Sequence, residues 1–334
     1  MSAFQIDNLN NTELLPNSNA SNLEQTEERS QSLVFAQQIH TRPKLGLVCI
    51  TASKEIRFRT MTRTRYLKLS LAERETALRE LYLSNLNRLD AAITFCQQHQ
   101  IPLYRISCGL FPLSDMEDEI GGRILEEMRA DLSQIGKRSQ QLGIRMVLHP
   151  DQYVVLSSDS PQVVENSIKI LAGHARTLDL LGLPRSPWSL MNIHGGKSQR
   201  IDRLVEVVSQ LPDEIRNRLT FENDEYAYSS KEILEVCQRT GVPMVFDAHH
   251  HICHEKLDSY EDPSVAEMFY AARETWANPE WQLVHISNGE TAFNDRQHSD
   301  LITVMPSVYR EAPWIEIEAK AKEEAIARLQ LESW

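Results

Sequence analysis

Imidazole and carboxylate side chains recur at the downstream ends of short apolar runs in this 334-residue chain. RMVLHP (145–150) leads to His149, WSLMNIHGG (188–196) to His194, and LTFEND (219–224) to Glu222. PMVFDAHHH (243–251) delivers Asp247 with His249, His250 and His251. WQLVHISNG (281–289) carries His285, PWIEIEA (313–319) carries Glu316 and Glu318, and His298 and Asp300 fall between those two runs. Taken singly, each has an ordinary explanation. A histidine after an apolar run is usually a hydrogen-bonded core or surface residue, and a lone glutamate is usually solvated or paired with a lysine. Coincidence does not explain six successive runs that end in the same chemistry, because such groups gathered out of water need counter-charges or metal. Mixed nitrogen and oxygen donors suit Zn²⁺, Mn²⁺ or Fe²⁺, and the lack of thiolates argues against a structural zinc site. Seven or eight candidate ligands exceed the needs of one tetrahedral ion, so two or three ions are implied. Paired ions about 4 Å apart can activate water and stabilise the leaving oxygen of a phosphodiester.

The elements that must position these groups alternate in type. KLGLVCIT (44–51) and LYRISCG (103–109) precede the six runs above, making eight apolar segments, several of them continuous as in parallel strands covered on both sides. Between them lie helical patterns. Ser70 to Glu73 has capping-box spacing and is followed by Leu78, Tyr82, Leu86, Leu89, Ile93 and Cys96 at steps of three and four. Ser114 to Glu117 and Ser229 to Glu232 repeat that start signal, and Ser160-Pro161 is a further helix opening. Eight β/α repeats fit an α/β fold, a (β/α)8 TIM barrel, whose active site lies at the C-terminal ends of its strands. An open doubly wound sheet is the rival, but the first segment is not followed by a G-x-G-x-x-G loop. The reading is a single barrel domain over residues 44–331. Residues 1–43, rich in Asn, Ser, Gln and Glu, read as a disordered N-terminal extension that buries too little apolar surface to order itself.

Net charge is −12, yet Met1–Thr41 accounts for −4 of it, with Asp7, Glu13, Glu24, Glu27 and Glu28 against Arg29. Net charge alone therefore decides little about partners. The loop after the first segment is locally basic: Lys54, Arg57, Arg59, Arg63, Arg65 and Lys68 against Glu55, with Phe58 and Tyr66 interleaved. A basic loop is ordinarily just solvated. Its place on the metal-bearing face makes it a candidate phosphate-binding surface. The composition is that of a soluble globular protein, and no apolar stretch approaches the roughly 20 residues of a membrane span. Five scattered cysteines and no secretory leader point to a reduced, cytoplasmic protein, expected to be monomeric.

LYRISCGLFP (103–112), LHPDQYVVLSS (148–158), MNIHGG (191–196), LTFENDE (219–225), FDAHHH (246–251), HSD (298–300) and EIEAKAKEEA (316–325) together resemble the UV damage endonuclease family. The resemblance covers nearly the whole expected barrel. It implies an endonuclease IV-like fold that nicks double-stranded DNA immediately 5′ to UV photoproducts with a divalent-metal cluster, usually Mn²⁺, with Zn²⁺ as an alternative. It implies metal ligation by His149, His194, Glu222, Asp247, His250, His285, His298 and Glu318, with catalysis resting on His149, Glu222, Asp247 and Glu318. Gln152 and Tyr153 match the family's pair that wedges into the duplex while the damaged dinucleotide is flipped into a pocket, which a poorly stacked step makes cheaper.

The sequence departs from the family at three positions. A lysine that is modified to a metal-bridging carbamate in many members is Leu283 here, and a DNA-probing tyrosine and a nearby asparagine fall on Leu47 and Thr51. Two other readings stay open on the residues alone. One is a divalent-metal sugar isomerase or epimerase, and the other a protein that binds lesions without cutting them.

Overall fold

The computed structural model describes residues 42–332. The extension expected over residues 1–43 therefore lies outside the described residues, except for Arg42 and Pro43. Eight parallel strands close in sequence order into a barrel: β1 (Lys44–Val48), β2 (Leu103–Ile106), β3 (Arg145–Leu148), β4 (Met191–His194), β5 (Leu219–Glu222), β6 (Met244–Asp247), β7 (Leu283–Ile286) and β8 (Trp314–Ile317). β8 pairs with β1 from Lys44↔Trp314 to Leu47↔Ile317, which seals the cylinder. The strands are shorter than the apolar runs, and from β3 onward each ends within one residue of a candidate ligand.

Helices cover the outside. α1 (Arg63–Leu67) and α2 (Leu71–Gln98) follow β1. The expected capping box opens α2: the Ser70 hydroxyl accepts from the Glu73 amide, and the Glu73 carboxylate accepts from the Ser70 amide at 2.8 Å. Leu78, Tyr82, Leu86, Leu89, Ile93 and Cys96 then face the core as their spacing requires. The same box at Ser229 and Glu232 opens α8 (Ser230–Thr240), and Pro161 opens α5 (Pro161–Leu180). The start signal at Ser114–Glu117 opens no helix. Those residues lie in turns, and α3 (Ile120–Glu127) starts from Glu119 in the left-handed region at φ 56°. α4 (Arg129–Gln141), α6 (Ile201–Ser209) and α7 (Asp213–Arg216) complete the first half. α9 (Ala248–Glu255) packs against β7, α10 (Pro263–Arg273) against β6 and α11 (Glu323–Leu331) against β1.

The barrel interior changes character from bottom to top. At the N-terminal mouth, Leu103, Val147, Leu190, Val245, Leu283 and Trp314 form a buried plug with Trp276. Arg145 threads this plug. It is 1% exposed, and its guanidinium donates to the carbonyls of Pro187, Trp188 and Trp281 at 2.8–3.0 Å. One layer higher the lining turns polar, through Arg105, Asn192, Thr220, Glu222, Asp247, His285 and Glu316, all buried. The apolar plug keeps water from the underside of these charges, which strengthens every interaction among them.

Candidate metal centre

Glu222 is the hub. It closes β5 at 1% exposure, and Asn192 on the neighbouring strand donates to its Oε2 at 2.5 Å while accepting from Thr220. His149 Nε2 stands 3.4 Å from Glu222 Oε2 and His194 Nε2 3.9 Å from it. On the other side, His285 Nδ1 lies 3.0 Å and His250 Nδ1 3.4 Å from Glu222 Oε1. The turn beyond His194 depends on glycine: a Cβ on Gly195 would sit 2.4 Å from the Tyr228 ring, and Gly196 has φ +83°.

Asp247 ends β6 and caps the following helix. Its Oδ1 accepts from the amides of His249 and His250 at 2.7 and 2.8 Å, which satisfies two otherwise orphaned donors of α9. The three adjacent histidines are therefore helical, where a strand was expected, and they point three ways. His250 turns its Nδ1 to the Asn223 carbonyl at 2.9 Å and its Nε2 towards Asp247 Oδ2 at 3.9 Å. His249 is held by the Tyr260 hydroxyl and the Asp295 carbonyl, and His251 by Ser230 and Ser264. Those two are satisfied structural residues.

Three groups of donors have atoms within 4.8 Å of one another: His149–His194–Glu222, Glu222–Asp247–His250 and Asp247–His285–Glu318. Glu222 and Asp247 are each shared by two groups, so the three candidate positions form a chain. Seven of the eight expected ligands take part. His298 does not. Its Nδ1 lies 4.0 Å from Glu318 Oε2, and it joins none of the three groups.

Two residues that the ligand pattern left out shape the far end of this chain. Arg105, on β2, donates from Nε to Glu316 Oε2 at 2.8 Å and from Nη2 to Glu318 Oε1 at 2.5 Å. Glu316 Oε2 also faces His285 Nε2 at 2.7 Å. Glu316 thus orients His285 from behind, the arrangement by which a carboxylate fixes the tautomer of a ligating imidazole. The available signal for Arg105 was a guanidinium at the centre of LYRIS, where parallel-barrel strands are otherwise apolar.

Charge balance keeps the carboxylates ionised. Burial alone would raise Glu222, but the histidines His285, His194 and His149 hold its carboxyl well below the usual range. Burial is likewise outweighed at Glu316, where Arg105 and His285 bring it down to about 2. At His250 burial opposes the charge, yet Asp247 and then Glu222 lift the imidazole to about 10. His285 is raised by Glu222 and Glu316 against its own burial, while burial pushes His194 down. Asp247 Oδ2 and His194 Nδ1 are buried and have no hydrogen-bond partner among the described residues. A fully buried carboxylate oxygen without a donor is costly, and a divalent cation would satisfy it. The donor set fits such ions.

The remaining expected site residues lie in the segments that follow β3 and β1. Gln152 and Tyr153 are exposed in the loop after β3, and Gln152 lines a cleft with His149 and His194. Lys54, Arg57, Arg59, Arg63 and Arg65 are all exposed. Their loop is anchored at both ends. The Ala52 and Ser53 amides donate to the Glu323 carboxylate at 2.7 and 2.8 Å, and Asn85 grips the Arg59 backbone through both its donor and its acceptor at 2.8 Å. Tyr66 is fully buried with its hydroxyl on Asp118, and Phe58 packs on the core, so the loop presents charge without aromatic rings. Leu47 is fully buried in the main core, Thr51 spends its hydroxyl on the Ile56 amide at 2.9 Å, and Leu283 belongs to the lower plug.

A closed parallel barrel with imidazole and carboxylate donors chained across its C-terminal mouth defines a TIM-barrel protein with a candidate polynuclear metal centre. The profile of the family described as UV-endonuclease UvdE matches residues 43–333, and the chain belongs to that family. It is 72% identical over 295 residues to the UV DNA damage endonuclease of a Nostoc species, covering 88% of this chain and 91% of that one. It is 50% identical over 290 residues to the UV DNA damage endonuclease of Deinococcus radiodurans, covering 86% and 95%. Among solved structures, SacUVDE aligns with a TM-score of 0.72 at 27% identity over 86% of this chain and 96% of that one. Endonuclease IV from Thermus thermophilus, at 15% identity and a TM-score of 0.54 over 86% and 97%, shares the fold. Among the described residues no helix is long and apolar enough to cross a membrane.

Proposed function

We propose that this chain is a metal-dependent endonuclease that nicks UV-damaged double-stranded DNA on the 5′ side of the photoproduct, with the damaged dinucleotide drawn out of the stack. Membership of the UV-endonuclease family supports the substrate. The observation that carries the metal dependence is the chain of three donor groups sharing Glu222 and Asp247, with Asp247 Oδ2 buried and unpartnered. His149, His194 and Glu222 would hold one ion, Glu222, Asp247 and His250 a second, and Asp247, His285 and Glu318 a third. Mn²⁺ is the ion proposed, with Zn²⁺ the alternative donor match. When bound, the ions would supply Lewis acidity at the scissile phosphate and a water of lowered pKa.

The chain's own residues do the rest. Asn192 and Asn223 hold Glu222 and His250 in place, so the donors are organised before substrate arrives. The exposed guanidinium and ammonium groups of residues 54–65 bind backbone phosphates without reading sequence. Gln152 and Tyr153 wedge into the duplex at the lesion, where unstacking costs least.

The test is an end-labelled duplex carrying a defined UV photoproduct, incubated with protein and Mn²⁺, with the nick mapped to the nucleotide. One nick immediately 5′ to the lesion, abolished by chelator and by Glu222→Ala and absent from the undamaged duplex, is expected. Retention in a gel shift with no nick at any Mn²⁺ concentration would make the protein a lesion binder instead.

A further inference from the structure

Tyr226 is an aromatic ring left in solvent beside the metal centre. It is 65% exposed, second among the aromatic residues of the described chain only to Tyr153 at 71%. Solvent exposure of so large a ring forgoes burial that most tyrosines obtain. Its backbone is fixed, because Asp224 Oδ1 accepts from the amides of Tyr226 and Ala227 at 2.8 and 2.5 Å. One face of the ring is already covered: the Arg296 guanidinium carbon lies 4.1 Å from the ring centroid. Arg296 is exposed, and no carboxylate of the described residues pairs with it. Tyr226 also lines the ≈ 250 Å³ cleft whose other walls include His149, His194 and Gln152. The loop after β5 thus brings an aromatic ring to the cleft that His149, His194 and Gln152 also line, and the loop after β7 brings a free cation against that ring.

We propose that Tyr226, backed by Arg296, is a stacking platform for an unstacked nucleobase of the substrate, with Arg296 also contacting a flanking phosphate. This rests on the DNA-endonuclease reading and adds to it a second aromatic contact, in the cleft that Gln152 also lines. A π-face accepts any base, so the platform contributes affinity for opened DNA without contributing sequence preference. The guanidinium behind the ring pre-orders it and adds cation–π attraction.

The experiment uses the full chain loaded with Mn²⁺ and a lesion-bearing duplex with 2-aminopurine placed in turn at each nucleotide flanking the lesion. Affinity and 2-aminopurine fluorescence are measured for wild type, Tyr226→Ala, Tyr226→Leu, Tyr226→Trp and Arg296→Ala. Tyr226→Ala and Tyr226→Leu are expected to weaken binding of damaged duplex about tenfold and to lose the quenching of one stacked probe, with Tyr226→Trp restoring both. Arg296→Ala is expected to weaken binding and lower the slope of log affinity against log salt by about one. Bound-metal stoichiometry and far-UV circular dichroism should stay unchanged in every variant. Wild-type affinity and wild-type quenching in Tyr226→Ala, alongside a wild type that binds and nicks, would overturn the platform alone. A wild type that neither binds nor nicks damaged duplex would overturn the endonuclease reading, and the platform with it.

Discussion

Arg105→Met removes a permanent cation from the buried carboxylate layer. Four buried or nearly buried carboxylates, Glu222, Asp247, Glu316 and Glu318, share that layer, and Arg105 contacts two of them at 8% side-chain exposure. Methionine keeps most of the volume of the stem and deletes the charge. Breaking a buried pair from one side typically costs about 3–5 kcal/mol, because the partner is left charged and unpaired. At roughly 2–3 °C per kcal/mol for a domain of this size, the metal-free variant should melt about 6–15 °C below wild type. Divalent ions bring positive charge to Glu318 and Asp247, so the deficit should shrink by at least half when Mn²⁺ is saturating. The assay is thermal unfolding of both proteins in chelator and in excess Mn²⁺. A deficit under about 1 kcal/mol in chelator, or one of equal size with and without metal, would refute the view that Arg105 acts as an internal counter-ion.

Metal binding should expel protons. His250, lifted to about 10, and His285, also raised, carry protons in the metal-free protein at pH 7, so calorimetry in buffers of different ionisation enthalpy should report release of about two protons; none released would contradict this. The metal-free protein should lose stability at both pH extremes. The His250 contribution is complete below its ordinary 6.5 and lost as pH rises through about 10, while that of Glu316 is present above 4.5 and lost as pH falls towards about 2. Melting scans from pH 3 to 10 check both limbs, and a flat profile would contradict them. Charge reversal of Arg57, Arg59 and Arg63 should weaken intact and damaged duplex about equally and flatten the salt dependence; an unchanged salt slope would make the loop a bystander. Leu283→Lys places an amine at the base of the polar layer, two residues or about 6.6 Å below His285. Given bicarbonate it should lower the Mn²⁺ concentration for half-maximal nicking, and a folded variant with unchanged metal dependence and stoichiometry would exclude this position from the centre.

Strand-end residues were legible because a barrel strand offers only one place where a charged group can face both the interior and the mouth. His149, His194, Glu222 and His285 all follow that rule. The histidine triplet was harder. HHH after FDA reads as the continuation of a strand, and the deciding contact, Asp247 Oδ1 on two amides, is a local hydrogen bond that apolar periodicity does not encode. His298 resembles a ligand in its motif, yet its distance from the donor groups depends on the long loop after β7, whose path no short-range pattern specifies. Ser114–Glu117 had capping spacing with an apolar repeat behind it, yet the chain turns there and the helix starts only at Ile120, after Glu119 in the left-handed region. Arg105 and Asn192 escaped because a single polar residue inside an apolar run is ambiguous until its partners on other strands are known. The same holds for Tyr66, which the sequence sets among arginines and the fold buries.

Asp247 has a consequence for how this centre can change over time. One of its oxygens starts a helix and the other is left without a donor beside the candidate ligands, so under the proposed function a single side chain would serve both the backbone and the chemistry. Asparagine would preserve the cap and forfeit the anionic donor. Glutamate would preserve the charge but is one methylene too long to hold the cap. Neutral drift is therefore closed at this position from two independent directions. Any adaptation of the protein to another metal has to run through the histidines around Asp247, whose backbone places it leaves undisturbed.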